Sequence, residues 1–370
     1  MFPPQSYTVP NSISITNVAE LDSALSGAQS DIILEDGTYE KVGYFTNNKG
    51  HRIYARNLGG AVLKSGFGNG ANWAGAENAL YQGLVFNITD AANTLQGDAI
   101  HCWGFGTGAR VYDTTIDGNG VLTSGIRSYA CEGFECRRIV VRNVKNFGIA
   151  VTESTPSTVS VILEDLDIAN VLDDPPGSNN GTSETCLWVG DKAHVNRVKL
   201  RNAGWMGLWT GAACTDSVFE NLDVDDVSHG AKTGIYLERH TVNSVFKNFT
   251  IGKKVSTGIN CEWDGNTLGP GSDGCTFEDG VIESTCIGIG LNPGTKDTTA
   301  RRITFRNQRA AAINDDSRHG TGNLWDTTGN AYLQPGADLT QEWANNLWPL
   351  CKQVAPRRRH ARKDRLPRMM

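Results

Sequence analysis

The chain has 370 residues, of which 39% are hydrophobic and 20% charged, with 42 glycines and a formal net charge of -6. That length and hydrophobic share exclude a disordered chain, and so many glycines beside so few charges favour tight turns and short strands over long surface helices. The absence of any run of eighteen apolar residues excludes a membrane-spanning helix.

Met1-Phe-Pro-Pro has neither the basic start nor the apolar stretch of a secretory signal. On that basis the chain reads as a mature fragment, a cytoplasmic protein or one released by lysis, with an extracellular or virion-associated setting as the expectation. Residues 17–25 have helical spacing behind an asparagine start signal, so residues 1–29 are expected to end in a capping helix. Residues 30–39 and 51–56 read as the first strands of a repeating body.

From residue 98 onward one phrase recurs: a small residue, then Ile or Leu, then alternation. Its nine anchors are Ile100, Ile126, Ile149, Leu187, Leu208, Ile235, Ile259, Ile289 and Ile313, at intervals of 26, 23, 38, 21, 27, 24, 30 and 24. A second phrase, apolar-x-Asn/Asp, lies between them, ending at Asn143, Asp165, Asn202, Asn221, Asn248, Asp279 and Asn307. Two phrases per period predict at least two strands per coil. A single coil cannot bury its inner face, whereas stacked coils form a continuous apolar column with strands about 4.8 Å apart. Asn and Asp repeating at one rung can bond from coil to coil. The body is expected over residues 30–325, followed by a C-terminal cap over 326–355 that includes a helix near 338–350.

Residues 356–370 carry seven Arg and Lys against Asp364, a local charge of +6 that leaves -12 for the preceding body, the whole being -6. This tail reads as a solvated, disordered end, and the acidic body argues against nucleic acid as a partner of the folded domain. The nine cysteines lack the paired spacing of a zinc site or a disulfide framework, although Cys131 and Cys136 are near enough to bridge. Cys102 and Cys261 fall at inward positions, where a thiol acts as a small hydrophobe.

These rungs, together with Asp36-Gly-Thr-Tyr39, resemble the pectin-lyase-like superfamily over about residues 30–325. The fold class expected is all-β: a single-stranded right-handed parallel β-helix, a solenoid with short capping helices at both ends. The resemblance implies carbohydrate-active proteins, among them hydrolases, lyases, epimerases and tailspike depolymerases, and it assigns no single reaction.

Alternation places the residues one and three after each anchor on the outer face. The first row includes His101, Arg127, Trp188, Trp209, Tyr236 and Asn260, and the second Trp103, Tyr129, Gly190, Gly211, Glu238, Glu262, Asn292 and Asp316. Trp188, Trp209 and Tyr236 form a predicted aromatic ladder, with Gly190 and Gly211 expected to leave the ring faces open to sugar rings. A polysaccharide is therefore the expected partner, with Arg127, Tyr129, Asn260 and Asn292 as further contacts. The competing reading is a subunit interface, as in homotrimeric β-helices.

Glu238 and Glu262, 24 residues apart on adjacent rungs, should have stems about 5 Å apart, so that one is pushed toward a general acid and the other stays ionised. Glu262 is the expected acid and Glu238 its partner, in a spacing suited to a retaining glycosidase, whereas Glu262 with Asp316 lies nearer the inverting range. Polygalacturonases carry an Asp pair, Gly-His-Gly and Arg-x-Lys; here Asp225-Asp226, Ser228-His229-Gly230 and Arg239 depart from that order, and His229 reads as a turn residue. A uronate lyase is the second enzyme reading, although only His101 and Arg127 are basic in the groove, which favours a neutral glycan. The third reading is a glycan-binding adhesion module that does not cut. No cofactor is expected, and calcium is the one ion suggested, at Asp173-Asp174 in the loop before Leu187.

Overall fold

The nine anchors stack in one column. In the computed structural model each pairs in parallel with the next, from Ile100 and Ile126 through Leu187 and Leu208 to Ile289 and Ile313. The structure describes residues 6–69, 77–103, 108–129, 132–152, 159–172, 184–190, 192–211, 214–227, 233–238, 240–252, 255–262, 272–283, 285–292, 295–308, 311–315, 322–326 and 331–333. The anchor strands, among them Asp98–Trp103, Ser124–Tyr129, Thr185–Gly190, Met206–Thr210 and Thr257–Cys261, make one long parallel sheet, called here the groove sheet.

The other sheet holds longer strands such as Glu135–Val144, Val161–Val171 and Ala193–Ala203. Each is bent near its middle by a residue in the left-handed region: Asp113, Arg138, Asp165, Arg197, Asn221, Asn248, Asp279 and Arg302, with φ between 51 and 57°. In an earlier coil the two limbs are separate strands, Leu80–Gln82 and Val85–Asn87, joined through Gly83 at φ 76° and both paired with Arg110–Asp117. Each coil therefore has three faces, and the chain is a right-handed parallel β-solenoid.

The apolar-x-Asn/Asp phrase proves to merge two rows. All seven of its Asn and Asp residues have positive φ. Asp165, Asn221, Asn248 and Asp279 sit at the mid-strand bend, whereas Asn143 and Asn202 sit at the strand ends. The end row forms a ladder in which Asn143 donates to Asp117 at 2.9 Å, Asn170 to Asn143 at 3.0 Å and Asn202 to Asn170 at 2.9 Å. The bend row uses ion pairs, Arg138 with Asp113, Arg197 with Asp165 and Arg302 with Asp279. Asn and Asp tolerate this backbone because their short polar side chains bond locally, and the arginines are held by their partners.

Inside, residues repeat in columns. Phe219 and Phe246 stack with ring centroids 4.6 Å apart and planes 3° apart, and Phe277 continues the column at 5.3 Å. At the N-terminal end Val18–Ser26 is a helix capped by the Asn17 side chain, which accepts from the Glu20 amide, and Leu21 and Leu25 close the core. The expected C-terminal helix at 338–350, the tail and Asp173-Asp174 lie outside the described residues. Cys102, Cys136, Cys186, Cys214, Cys261 and Cys275 are buried free thiols, so the bridge considered between Cys131 and Cys136 is absent, whereas Cys286 is disulfide-bonded.

The small residue before each anchor has a steric cause. The ladder passes from Asp98–Ser124 directly to Ile100–Ile126, which leaves Ala99 and Gly125 unpaired at a kink. A Cβ on Gly125 would lie 2.6 Å from the Gly148 carbonyl oxygen and 2.6 Å from a Val141 methyl, and one on Gly234 2.7 Å from an Ile251 methyl and 2.8 Å from the Gly258 oxygen. The kink therefore turns inward against the next coil and the opposite sheet. Gly234→Ala is expected to cost about 1–3 kcal/mol in urea unfolding through overpacking, whereas Gly37→Ala, with open space around it, should stay within about 0.5 kcal/mol.

Asp113 ties the N-terminal segment to the body, accepting from Tyr7 at 3.1 Å, Gln82 at 3.2 Å and Arg138 at 3.0 Å. Burial alone would raise its pKa, but the bonds from Arg138, Gln82 and Tyr7 outweigh it and hold the carboxyl below the usual range. A depressed folded value means that the stabilisation is complete above the unfolded pKa of about 3.9 and is lost as pH falls through the folded value. Acid melts of Arg138→Gln should accordingly show a shallower loss of melting temperature below about pH 4 than the wild type.

Candidate functional site

The groove sheet brings the expected row together in register: His101 opposite Arg127, Trp188 opposite Trp209, and then Tyr236 and Asn260. All except His101 are half-buried, and Trp103, Tyr129, Glu238, Glu262 and Asn292 lie half-buried alongside. Asp316, the side chain of Asp226, and His229 and Arg239 lie outside the described residues.

The aromatic ladder is present, but its geometry differs from the expectation of open faces. Trp188 and Trp209 stack with centroids 4.9 Å apart and planes 17° apart, and Phe147 continues the stack on Trp188 at 5.1 Å. Neighbouring rungs thus cover these faces against one another. The stack ends in edge-on contacts of Trp209 with Tyr236 at 6.3 Å and with Trp205 at 5.6 Å. Gly211 makes room for the indole, for a Cβ there would lie 2.9 Å from Trp188 Nε1 and 2.9 Å from the Gly190 Cα. Along this stack Phe147 is buried, whereas Trp188, Trp205, Trp209 and Tyr236 are half-buried and form the partly exposed apolar strip.

The polar groups divide between the two ends of this strip. At one end the Trp209 indole donates to Glu238 Oε2 at 3.1 Å. Glu262 follows Cys261 on the next strand, its amide donating to the Leu237 carbonyl at 2.8 Å. Asn292 donates to Asn260 Oδ1 at 3.1 Å and to the Cys261 carbonyl at 2.7 Å. At the other end the Arg127 guanidinium lies 5.6 Å from the Phe147 ring centroid. Arg127 Nε is 3.8 Å from Asp98 Oδ2, and the same oxygen is 2.7 Å from His101 Nδ1.

The Asp98–His101 pair, Phe147 and Trp205 were missed by the sequence reading. Strict alternation puts residues three apart on opposite faces of a strand, so Asp98 and His101 should not meet. The kink at Ala99 reverses the parity, and the residue two before an anchor shares the outer face with the residue one after it. The same reversal sets Phe147 against Trp188. The recurrent small residue was the available signal, once it is understood as a kink.

No protein-family model matches the chain, and no curated protein sequence does. Solved structures do resemble it. The A-module of a mannuronan C-5 epimerase of Azotobacter vinelandii matches with a TM-score of 0.56 at 12% identity, over 86% of this chain and 94% of that one. The catalytic unit of a GH87 α-1,3-glucanase of Streptomyces thermodiastaticus matches with 0.56 at 11%, over 90% and 71%. A PL6 alginate lyase in complex with a trisaccharide matches with 0.52 at 11%, over 89% of each.

Close parallel stacking of two indoles couples their transitions. Trp209 contacts both Trp188 and Trp205, so the far-ultraviolet circular dichroism should show a tryptophan exciton couplet that is lost in Trp209→Phe and reduced in Trp188→Phe, and a couplet unchanged in both variants would contradict the stack. At these identities the likeness is one of architecture, and the chain has the right-handed parallel β-helix fold of these proteins.

Proposed function

We propose that the groove sheet binds a polysaccharide lengthwise and that the protein hydrolyses a glycosidic bond of that chain. The observation that carries this reading is the strip running from Phe147 through Trp188 and Trp209 to Tyr236 and Trp205, which leads directly to Glu238. A half-buried apolar strip beside carboxylates and amides suits a chain whose rings have apolar faces and hydroxyl edges. The matched structures act on or bind such chains by their own descriptions, which accords with the proposal.

In this reading Glu262 is the general acid that protonates the leaving oxygen. Glu238, whose carboxylate form the Trp209 N–H bond stabilises, acts as the ionised nucleophile or base. Asn260 and Asn292 hold hydroxyls next to the scissile bond, and Tyr129 and Arg127 line the distal part of the groove. The disulfide at Cys286 accords with an oxidising, extracellular setting.

Incubation with neutral and uronate polysaccharides, following reducing ends and the absorbance of unsaturated uronate together, tests the reaction. Reducing ends without absorbance are expected, with turnover falling about 10²–10⁴-fold in Glu238→Gln and Glu262→Gln while binding persists. Absorbance would mean elimination instead, and binding without either signal would leave a non-catalytic glycan receptor.

A further inference from the structure

Asn260 and Asn292 stand on adjacent coils at the acidic end of the groove, and their amides fix each other's direction. Asn292 Nδ2 donates to the Cys261 carbonyl at 2.7 Å and to Asn260 Oδ1 at 3.1 Å. A backbone carbonyl only accepts, so the Asn292 atom against Cys261 must be the nitrogen, and its second hydrogen can meet Asn260 only through that residue's oxygen. Both Asn292 hydrogens are thereby spent inside the protein. What remains is a pair of opposite character: the two hydrogens of Asn260 Nδ2, which only donate, and Asn292 Oδ1, which only accepts.

This pair is open to the groove. Among the described residues neither atom makes a hydrogen bond, neither belongs to the buried polar atoms without a partner, and both residues are half-buried, so both atoms reach solvent. A Cβ on Gly290, the strand partner of Asn260, would lie 3.3 Å from Asn260 Oδ1, so the glycine leaves that amide uncrowded. The surroundings are acidic. The amides of Glu238, Glu262 and Asn292 donate in turn to the Thr210, Leu237 and Cys261 carbonyls, which puts the three residues at one position of successive coils about 4.8 Å apart.

We propose that Asn260 and Asn292 form a clamp for two adjacent hydroxyls of a neutral sugar, Asn260 donating to one and Asn292 accepting from the other, and that the Cys261 carbonyl sets this polarity. An uncharged donor beside an uncharged acceptor matches such a diol, in which each hydroxyl can give and take a hydrogen bond. A uronate carboxylate in the same place brings no hydrogen for Asn292 Oδ1 and adds a negative charge to the acidic end of the groove. The inference rests on the polysaccharide reading above and deepens it by naming the substrate class: a neutral chain whose units keep two neighbouring hydroxyls free, as 1,4-linked hexopyranans do.

Calorimetry on the full chain tests this with hexasaccharides of α-1,4-glucan and β-1,4-mannan, the 2,3-di-O-methyl form of each, and a mannuronate hexasaccharide. The wild type should bind at least one neutral hexasaccharide about tenfold more tightly than both its methylated form and the mannuronate. In Asn260→Ala and Asn292→Ala the difference between free and methylated forms should shrink to about threefold or less. Because either truncation could loosen the coil, the asparagine side-chain amides of the wild type are also followed by 15N labelling. Those of Asn292 should exchange slowly with solvent and those of Asn260 quickly, and the Asn260 pair should shift when the neutral hexasaccharide is added. Equal binding of the free and methylated forms, a difference retained in full by both variants, fast exchange at Asn292, or a preference for mannuronate overturns the clamp and leaves the polysaccharide reading standing. A wild type that binds none of the probes overturns both.

Discussion

Everything on the outer face follows from one steric constraint, the inward kink before each anchor. At its glycine positions, such as Gly125 and Gly234, the next coil's carbonyl oxygen and a branched side chain of the opposite sheet occupy the space of a Cβ, and elsewhere the position holds a small buried residue such as Ala99 or Cys186. The chain passes through this point without pairing and re-enters the ladder one residue later with its faces exchanged. Parallel in-register stacking then repeats the exchange on every rung, so that the residues two before and one after the anchors merge into one outer surface. The contacts of His101 with Asp98, Arg127 with Phe147, and Phe147 with Trp188 all depend on it.

The two sheets treat their outer faces differently. On the bent sheet Glu164 meets Arg137 and Arg197, Glu220 meets His194 and Lys247, and Glu278 meets Arg301 and Arg302. Such exposed pairs are each worth about 0–1 kcal/mol, but they leave a face of matched charge with little to offer a ligand. The groove sheet carries half-buried aromatic rings, amides and, at one end, buried polar atoms without partners. That asymmetry is the physical ground on which the groove sheet, and not the bent sheet, is proposed as the ligand-binding face.

The closed aromatic stack changes how a glycan would lie. Rings that cover one another every 5 Å leave no single face open, so a sugar chain would run along a strip and make many weak contacts instead of stacking on single platforms. Orientation along the strip would come from its polar ends, cationic at Arg127 and acidic at Glu238 and Glu262.

The sequence by itself determined the coil. The spacing of Ile100, Ile126, Ile149 and the later anchors, the Asn17 cap and the Asn/Asp phrase were enough for a parallel β-helix, because inward apolar positions and left-handed turns require particular residue types locally. The aromatic row and its acidic end were also legible, since strand alternation is a local rule. The tertiary structure alone decided whether ring faces were open, which Asn belonged to which row, and that Asp98 reaches His101. Those outcomes depend on how far each coil is rotated over the next and on the kink that reverses parity, and both are set by contacts between residues more than twenty positions apart.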